Sequence, residues 1–292
     1  MIGPPGSGKS MLAKRLITIL PDMTWEETLE ATKIHSVMGL LKQDQSLIQT
    51  RPFRSPHHTS SSIALVGGGS VPRPGEVTLS HNGILFLDEL PEFNHAALEA
   101  LRQPLEDHSV TVARASKTLK FPAQFMLVAA MNPCPCGWFT DRRRKCQCSN
   151  FQIQKYMSKI SGPLLDRIDI HLEVPSLPSV DLLSQQSAET SCAIKERTTN
   201  ARRKQYARLT SISIRANAQM NHRQIKEFCP LSGEGKTLLK QAIEELNFSA
   251  RAYDKILKVA RTIADLAGEE NIQTEHLAEA IQYRSLDRNF FT

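Results

Sequence analysis

The chain lacks any run of about 18 consecutive apolar residues, which excludes a membrane-spanning helix read from hydropathy. It lacks a basic-then-apolar leader, so no signal peptide is expected, and a cytoplasmic location follows by default. A strong excess of one charge is also missing. The 36 Lys+Arg against 30 Asp+Glu leave a net +6, which suits a mildly basic surface as well as it suits a polyanionic partner. No internal repeat is evident. Cysteine is scarce: six in 292 residues, four of them between Cys134 and Cys148. The hydrophobic content of 40% suits a globular chain, and 292 residues are enough for two domains.

What is present begins at residue 3. Gly3-Pro4-Pro5-Gly6-Ser7-Gly8-Lys9-Ser10 matches the phosphate-binding loop pattern. Glycines let the backbone wrap a polyphosphate and turn its N–H groups inward. Lys9 has the reach for the β- and γ-phosphates, and the Ser10 hydroxyl suits Mg²⁺. The Met11-Leu-Ala-Lys-Arg-Leu run that follows reads as a helix, which sets a positive dipole end under the phosphates. Such a loop normally follows a buried strand. Only Met1 and Ile2 precede it here, so a truncated first strand, and a chain that is a fragment or starts late, is expected.

Helix is predicted over 11–20, ended by Pro21, and from Trp25 to about Met38 behind a Thr24/Glu27 capping box. Residues 50–82, rich in Pro, His, Ser and Gly, read as loop and hairpin. Gly83-Ile-Leu-Phe-Leu-Asp88-Glu89 reads as a buried parallel strand ending in two acids. Asn94 is placed as the cap of a helix over 95–103, halted near Pro104. Two strands are expected around Arg114–Lys117, a buried strand over 125–131, and a further strand over 170–174. Pro175–Ser179 reads as a linker. Beyond it the pattern is helical: about 181–208, then 250–267 between Ser249 and Gly268, then Thr274 to about Arg284. This order predicts an α/β fold, a parallel sheet flanked by helices, followed by a small all-α lid. The expected domains are a core over 1–177 and a helical domain over 178–292.

Asp88 and Glu89 form the second nucleotide motif. Asp88 at a strand tip suits Mg²⁺ held through water, and Glu89 suits the base that orients and deprotonates the attacking water. Asn132 ends the next buried strand, where it suits the same water; the competing reading is a turn residue. Arg167, in Pro163-Leu-Leu-Asp-Arg-Ile-Asp169, suits an arginine finger reaching a neighbouring subunit, against an ion pair with Asp166 or Asp169. Arg251 stands at a helix N-terminus, where a cation opposes the dipole unless an anion is near. A solvent-facing Arg is the alternative.

With these motifs in hand, the chain resembles the AAA+ ATPases of the magnesium-chelatase-like group, and within it the ComM/YifB competence-protein family. The resemblance rests on Gly3–Ser10, Arg51-Pro-Phe-Arg-Ser-Pro-His-His-Thr59, Pro72-Arg-Pro-Gly-Glu-Val77, His81–Phe93, Asn132-Pro-Cys-Pro-Cys-Gly137, Ser161–His171 and Ser249-Ala-Arg-Ala-Tyr253. It covers nearly the whole chain. It implies a Walker A loop at Gly3, Pro4, Pro5, Gly6, Ser7, Gly8, Lys9 and Ser10. It likewise implies Walker B residues Asp88 and Glu89, sensor-1 Asn132, finger Arg167 and sensor-2 Arg251. It further implies ATP and Mg²⁺ as cofactors, a hexameric ring with ATP between subunits, and a DNA helicase that drives branch migration during recombination. The resemblance also implies an N-terminal domain resembling the Lon protease fold in family members, and this domain is expected to be missing here together with the first strand.

Cys134/Cys136 and Cys146/Cys148 form two CxC pairs. A cytoplasmic chain has little use for disulfides, so the cluster points to metal or redox chemistry. Four thiolates suit tetrahedral Zn²⁺. The basic run Arg142-Arg-Arg-Lys145 between them favours thiolates and equally suits phosphate contact. A reduced, metal-free loop is the bland alternative. Arg114, Lys117 and Lys120 lie on or beside the hairpin that, in related helicases, points into the ring pore, where basic tips grip a DNA backbone. A solvated turn is the alternative. Arg202–Lys204 and Arg208 read as a solvated helix face, and His57 and His58 as structural or pore-loop residues. Two other functions compete: an ATPase subunit that helps insert Mg²⁺ into a porphyrin, although no porphyrin-binding feature is visible, and an inactive fragment.

Overall fold

The computed structural model describes all residues except 70, 71, 114–117, 140, 142, 177–187, 211–213, 247 and 285–292. The chain divides into two compact units. One comprises Met1–Ile17, Asp22–Ile168 and Glu173–Gln185; the other comprises Thr18–Pro21, Asp169–Leu172 and Gln186–Thr292.

The first unit is built on a parallel sheet in the order β1 (Phe53–Arg54), β4 (Ile84–Leu87), β7 (Met126–Ala129). β4 is Ile-Leu-Phe-Leu, buried at every position, as expected for a central strand covered on both faces. Its register sets Leu85 beside Leu127 and Leu87 beside Ala129. β7 is less covered than its apolar sequence suggests, because Met126 at its start is 44% exposed. Beyond β7, the residues before the phosphate loop continue the sheet. Ile2 bridges Met131 on one side and Glu173 on the other, both in parallel. Gly3 N–H donates to Met131 O at 3.2 Å and Val174 N–H to Ile2 O at 2.7 Å. The loop is thereby tethered on both flanks. Residues 170–174 contribute only this bridge, not the full strand expected of them.

Helices α1 (Lys9–Ile19) and α2 (Trp25–Val37) form as predicted. Thr24 and Glu27 close both halves of the capping box: Glu27 N–H donates to Thr24 Oγ1, and Thr24 N–H to Glu27 Oε2. The 50–82 stretch contains more than loop and hairpin. Besides β1 it holds α3 (Ser62–Val66), the hairpin β2 (Gly67–Gly68) with β3 (Arg73–Pro74), and α4 (Glu76–Leu79). α3 and α4 supply Leu65 and Val77 to the core, side chains too widely spaced among Ser and Gly for periodicity to reveal.

Past β4, Asn94 caps α5 (His95–Ala100) by accepting from Ala96 N–H. Pro104 does not halt this helix. The chain breaks at Leu101 and restarts as α6 (Arg102–Asp107), where Pro104 sits in the first turn and its missing N–H costs nothing. β5 (Ser109–Ala113) and β6 (Thr118–Pro122) form an antiparallel hairpin. Its expected tip residues Arg114 and Lys117 lie outside the described residues; Lys120 is exposed on β6. α7 (Asn150–Met157) and α8 (Gly162–Leu165) follow the cysteine block. Leu85, Leu87, Leu98, Leu101, Val110, Ile160 and Leu164 pack into one core under the site face.

The second unit is helical: α9 (Ser191–Leu209), α10 (His222–Phe228), α11 (Gly233–Leu246), α12 (Ala250–Ala267) and α13 (Thr274–Gln282). Thr190 caps α9, so that helix begins later than its predicted start, which falls outside the described residues. Arg202 to Lys204 lie on α9, and Lys204 and Arg208 are engaged, with Gly268 O and Asp265 respectively. Ser249 and Gly268 bound α12 as expected. Its apolar stripe, Ile256, Leu257, Ala260 and Ala264, packs with Leu209, Ile225, Leu239 and Leu277. Asp265 is buried between Arg208 (2.6 Å) and Arg261 (3.1 Å), and the Arg261 guanidinium donates to the carbonyls of Glu269 and Glu270 just past the helix end.

Candidate active site

The phosphate loop turns at Gly6 (φ 76°) and Gly8 (φ 86°), left-handed conformations that a side chain would strain. Between the glycines the backbone is wound tightly enough for Ser7 N–H to donate to Pro4 O at 3.3 Å. α1 starts at Lys9 with no acidic residue in its first turn, so its dipole end is left for an external anion.

Lys9 is 8% exposed. Its ammonium donates to Gly3 O (2.8 Å), Pro4 O (2.9 Å), Ser7 Oγ (3.4 Å) and Asn132 Oδ1 (3.3 Å), all neutral oxygens. Burial pushes its pKa below the ordinary lysine value, and the Asp88 carboxylate only partly opposes the shift. A desolvated cation held by neutral oxygens is a fitting receptor for phosphate. Ser10 Oγ donates to Asp88 Oδ2 at 2.6 Å, so a hydroxyl and a carboxylate oxygen of the kind Mg²⁺ prefers stand together. The residues present fit Mg²⁺ and a nucleotide polyphosphate.

Asp88 is the first residue past β4 and its Oδ1 accepts from Glu89 N–H at 3.0 Å. Glu89 is left-handed (φ 52°, ψ 48°), an uncommon state for a side chain of this size and one often found at working sites. Its carboxylate is 58% exposed and lies 3.2 Å from His58 Nδ1. His58 stacks on His57 with ring centroids 4.1 Å apart and meets the Phe93 ring edge-on. This neighbour of Glu89 escaped sequence reasoning. The signal would have been that β1 is the parallel neighbour of β4, so that the loop after β1 and the tip of β4 emerge at one edge.

Asn132 follows the Met131 bridge and reaches Lys9, so Lys9, Ser10, Asp88, Glu89 and Asn132 share one face of the first unit. Tyr156 of α7 is a second residue that sequence reasoning missed. Burial, followed by the Glu92 charge, pushes its phenol up to about 12, and its hydroxyl meets the Asn132 backbone. Arg167 stands apart from this group. It pairs with Glu106 at 2.7 Å and donates to Arg102 O and Pro163 O. Arg251 belongs to the second unit, exposed in the first turn of α12.

Residues 1–182 match the family described as magnesium chelatase, subunit ChlI, and residues 188–284 match that subunit's C-terminal part. The chain belongs to the magnesium-chelatase ChlI family. It is 46% identical over 290 residues to competence protein ComM of Haemophilus influenzae, covering 98% of this chain and 55% of that protein. It is 43% identical over 290 residues to YifB of Escherichia coli, covering 99% and 56%. A more distant likeness, 24% over 153 residues, joins 52% of this chain to 15% of DNA replication licensing factor mcm4-B of Xenopus laevis. The chain spans about half the length of the ComM and YifB relatives. Membership in the ChlI family supports an AAA+ ATPase that uses a nucleotide and Mg²⁺.

The cysteine block of this ChlI-family chain lies between Asn132 and α7. The sulfurs of Cys134, Cys136, Cys146 and Cys148 all lie within 4.8 Å of one another. The Cys134–Cys136, Cys134–Cys146 and Cys136–Cys146 separations are 3.4, 3.7 and 3.6 Å. Backbone N–H groups of Trp138 and Gln147 hold the Cys136 thiol down at about 6. Once one thiolate forms, its neighbours resist ionising, which is the conflict a divalent cation removes. Among the described residues no helix is long and apolar enough to cross a membrane.

Proposed function

We propose that this chain is the ATP-binding and ATP-hydrolysing part of an AAA+ motor that acts on DNA in the cytoplasm, as a branch-migration helicase in competence or recombination. The observation that carries the reading is the meeting of Lys9, Ser10, Asp88, Glu89 and Asn132 at one face. The loop N–H groups and Lys9 bind and orient the β- and γ-phosphates. Ser10 and Asp88 would hold Mg²⁺, which would supply positive charge against the phosphoryl oxygens. Glu89 accepts the proton of the attacking water, and Asn132 fixes that water's position. His58 restrains the Glu89 carboxylate until the site closes on nucleotide. Lys120, with Arg114 and Lys117, grips a DNA backbone.

Arg167 supplies the charge that reaches the γ-phosphate of a neighbouring subunit in a hexameric ring, leaving its Glu106 partner to do so. Arg251 meets the nucleotide from the helical domain. The core domain is assigned to 1–177 and the lid to 178–292. The four cysteines hold structural Zn²⁺, since their sulfur separations lie close to the roughly 3.8 Å edge of a tetrahedron with Zn–S bonds of about 2.3 Å.

The name of the licensing factor supports DNA as the partner, and that of ComM supports a place in competence. The family description favours a second reading, an ATPase subunit serving metal insertion into a porphyrin. ATP hydrolysis with and without branched DNA separates them, measured on this chain and on a form extended upstream. DNA-stimulated turnover supports the motor. Turnover indifferent to DNA in a folded, extended protein moves the assignment to the chelatase type, and no turnover in either form marks an inactive chain.

A further inference from the structure

The block from Pro133 to Cys148 is more than an appendage of the nucleotide face. It begins directly after Asn132, and it ends at Ser149, the cap of α7, from which Tyr156 returns to the Asn132 backbone. The block is therefore a loop closed at its base on the residue that also contacts Lys9.

One direct contact ties it to the phosphate loop, and a second tie runs through Ser176 to the strand before that loop. Gly137 (φ 84°) lies flush on the phosphate loop: a Cβ there would sit 2.6 Å from both Cγ and Cδ of Pro5, so any side chain would push the two loops apart. Asp141 accepts from Ser176 Oγ at 3.0 Å. The Ser176 segment in turn holds the strand before the loop through Val174 N–H and Ile2 O. Inside the block, Phe139 N–H donates to Cys134 Sγ (3.3 Å) and Cys148 N–H to Cys146 Sγ (3.4 Å), an arrangement that orients metal-bound thiolates. The backbone carrying Gly137 thus takes its shape from the sulfur cluster on either side of it.

We infer that Zn²⁺ in the four-cysteine cluster braces the phosphate loop and Asn132 through the Gly137–Pro5 contact, so that metal occupancy sets nucleotide affinity. This rests on the zinc and nucleotide readings above. Without the metal, nothing bonds the four sulfurs to a common centre, and the wall against Pro5 loosens. The coupling is reciprocal: bound nucleotide raises zinc affinity by the same factor.

The test uses the 292-residue chain, with zinc counted by elemental analysis and nucleotide affinity read from a fluorescent ATP analogue with Mg²⁺. Cys146→Ser/Cys148→Ser removes the more exposed half of the ligand set. Gly137→Ala keeps all four ligands but spoils the contact. Expected are one zinc per chain in the parent and in Gly137→Ala, none in the double variant, and an increase in Kd of about ten-fold or more in both variants. Chelation of the parent followed by zinc re-addition should abolish and then restore affinity, which guards against a variant that fails to fold. A zinc-free chain that binds nucleotide as tightly as the loaded one overturns the coupling and leaves the zinc site standing. A parent chain that takes up no zinc overturns both. A zinc-loaded chain that binds no nucleotide overturns the coupling together with the nucleotide site.

Discussion

Lys9 is a buried ammonium held by neutral oxygens, and its lowered pKa gives a signed prediction. The charged form binds phosphate. It is complete at low pH and lost as pH rises through the lowered value, so ATP affinity should start to fall at a pH below the 10.5 of an ordinary lysine. A titration of Kd against pH that stays flat to that value would refute it. Lys9→Ala should remove nucleotide binding. Glu89→Gln should keep binding and lower turnover by about 100-fold or more, because the amide cannot take a proton. Normal turnover in Glu89→Gln would remove its assignment as the base. That Lys9 and Ser10 of the loop meet Asn132 and Asp88 could be anticipated from the sequence, because a phosphate-loop pattern and an apolar strand ending in acids each fix residue types at set places on strand–loop–helix units. His58 and Tyr156 could not, since their proximity depends on which strand and which helix are spatial neighbours.

At the scale of elements, the helices with polar caps were legible: Thr24, Asn94, Ser249 and the Gly268 stop all act as read. The short pieces were not. α3, α4, α6 and α8 have four to six residues each, too few to display a 3.6-residue period. In the helical unit, Asp265 is the point where α9 and α12 are joined by charge, with Asn217 Nδ2 adding a 2.9 Å hydrogen bond. Asp265→Ala leaves two guanidinium groups facing an apolar core. It should cost about 3–5 kcal/mol, seen as an early unfolding step in denaturant followed by helical circular dichroism. A change within about 0.5 kcal/mol would show that water already compensates Arg208 and Arg261.

At the scale of the whole molecule, the alternation of strands and helices followed by helices alone was enough to reveal a parallel sheet followed by a helical region, because binary patterning decides layer type. What that order could not reveal is assembly. If Arg167 acts on a neighbour's nucleotide, Arg167→Ala and Lys9→Ala should each be inactive alone, and mixing them should restore part of the turnover. Mixtures as inactive as their parts would confine Arg167 to its ion pair with Glu106.

The left-handed backbone at Glu89 has a consequence for any attempt to harden this chain. Glycine relieves such a conformation by about 1 kcal/mol, so Glu89→Gly should melt higher than the parent while hydrolysing nothing. A selection run on thermal survival alone would drift toward that substitution and discard the reaction. A selection that also demands turnover must look for its gains at other positions.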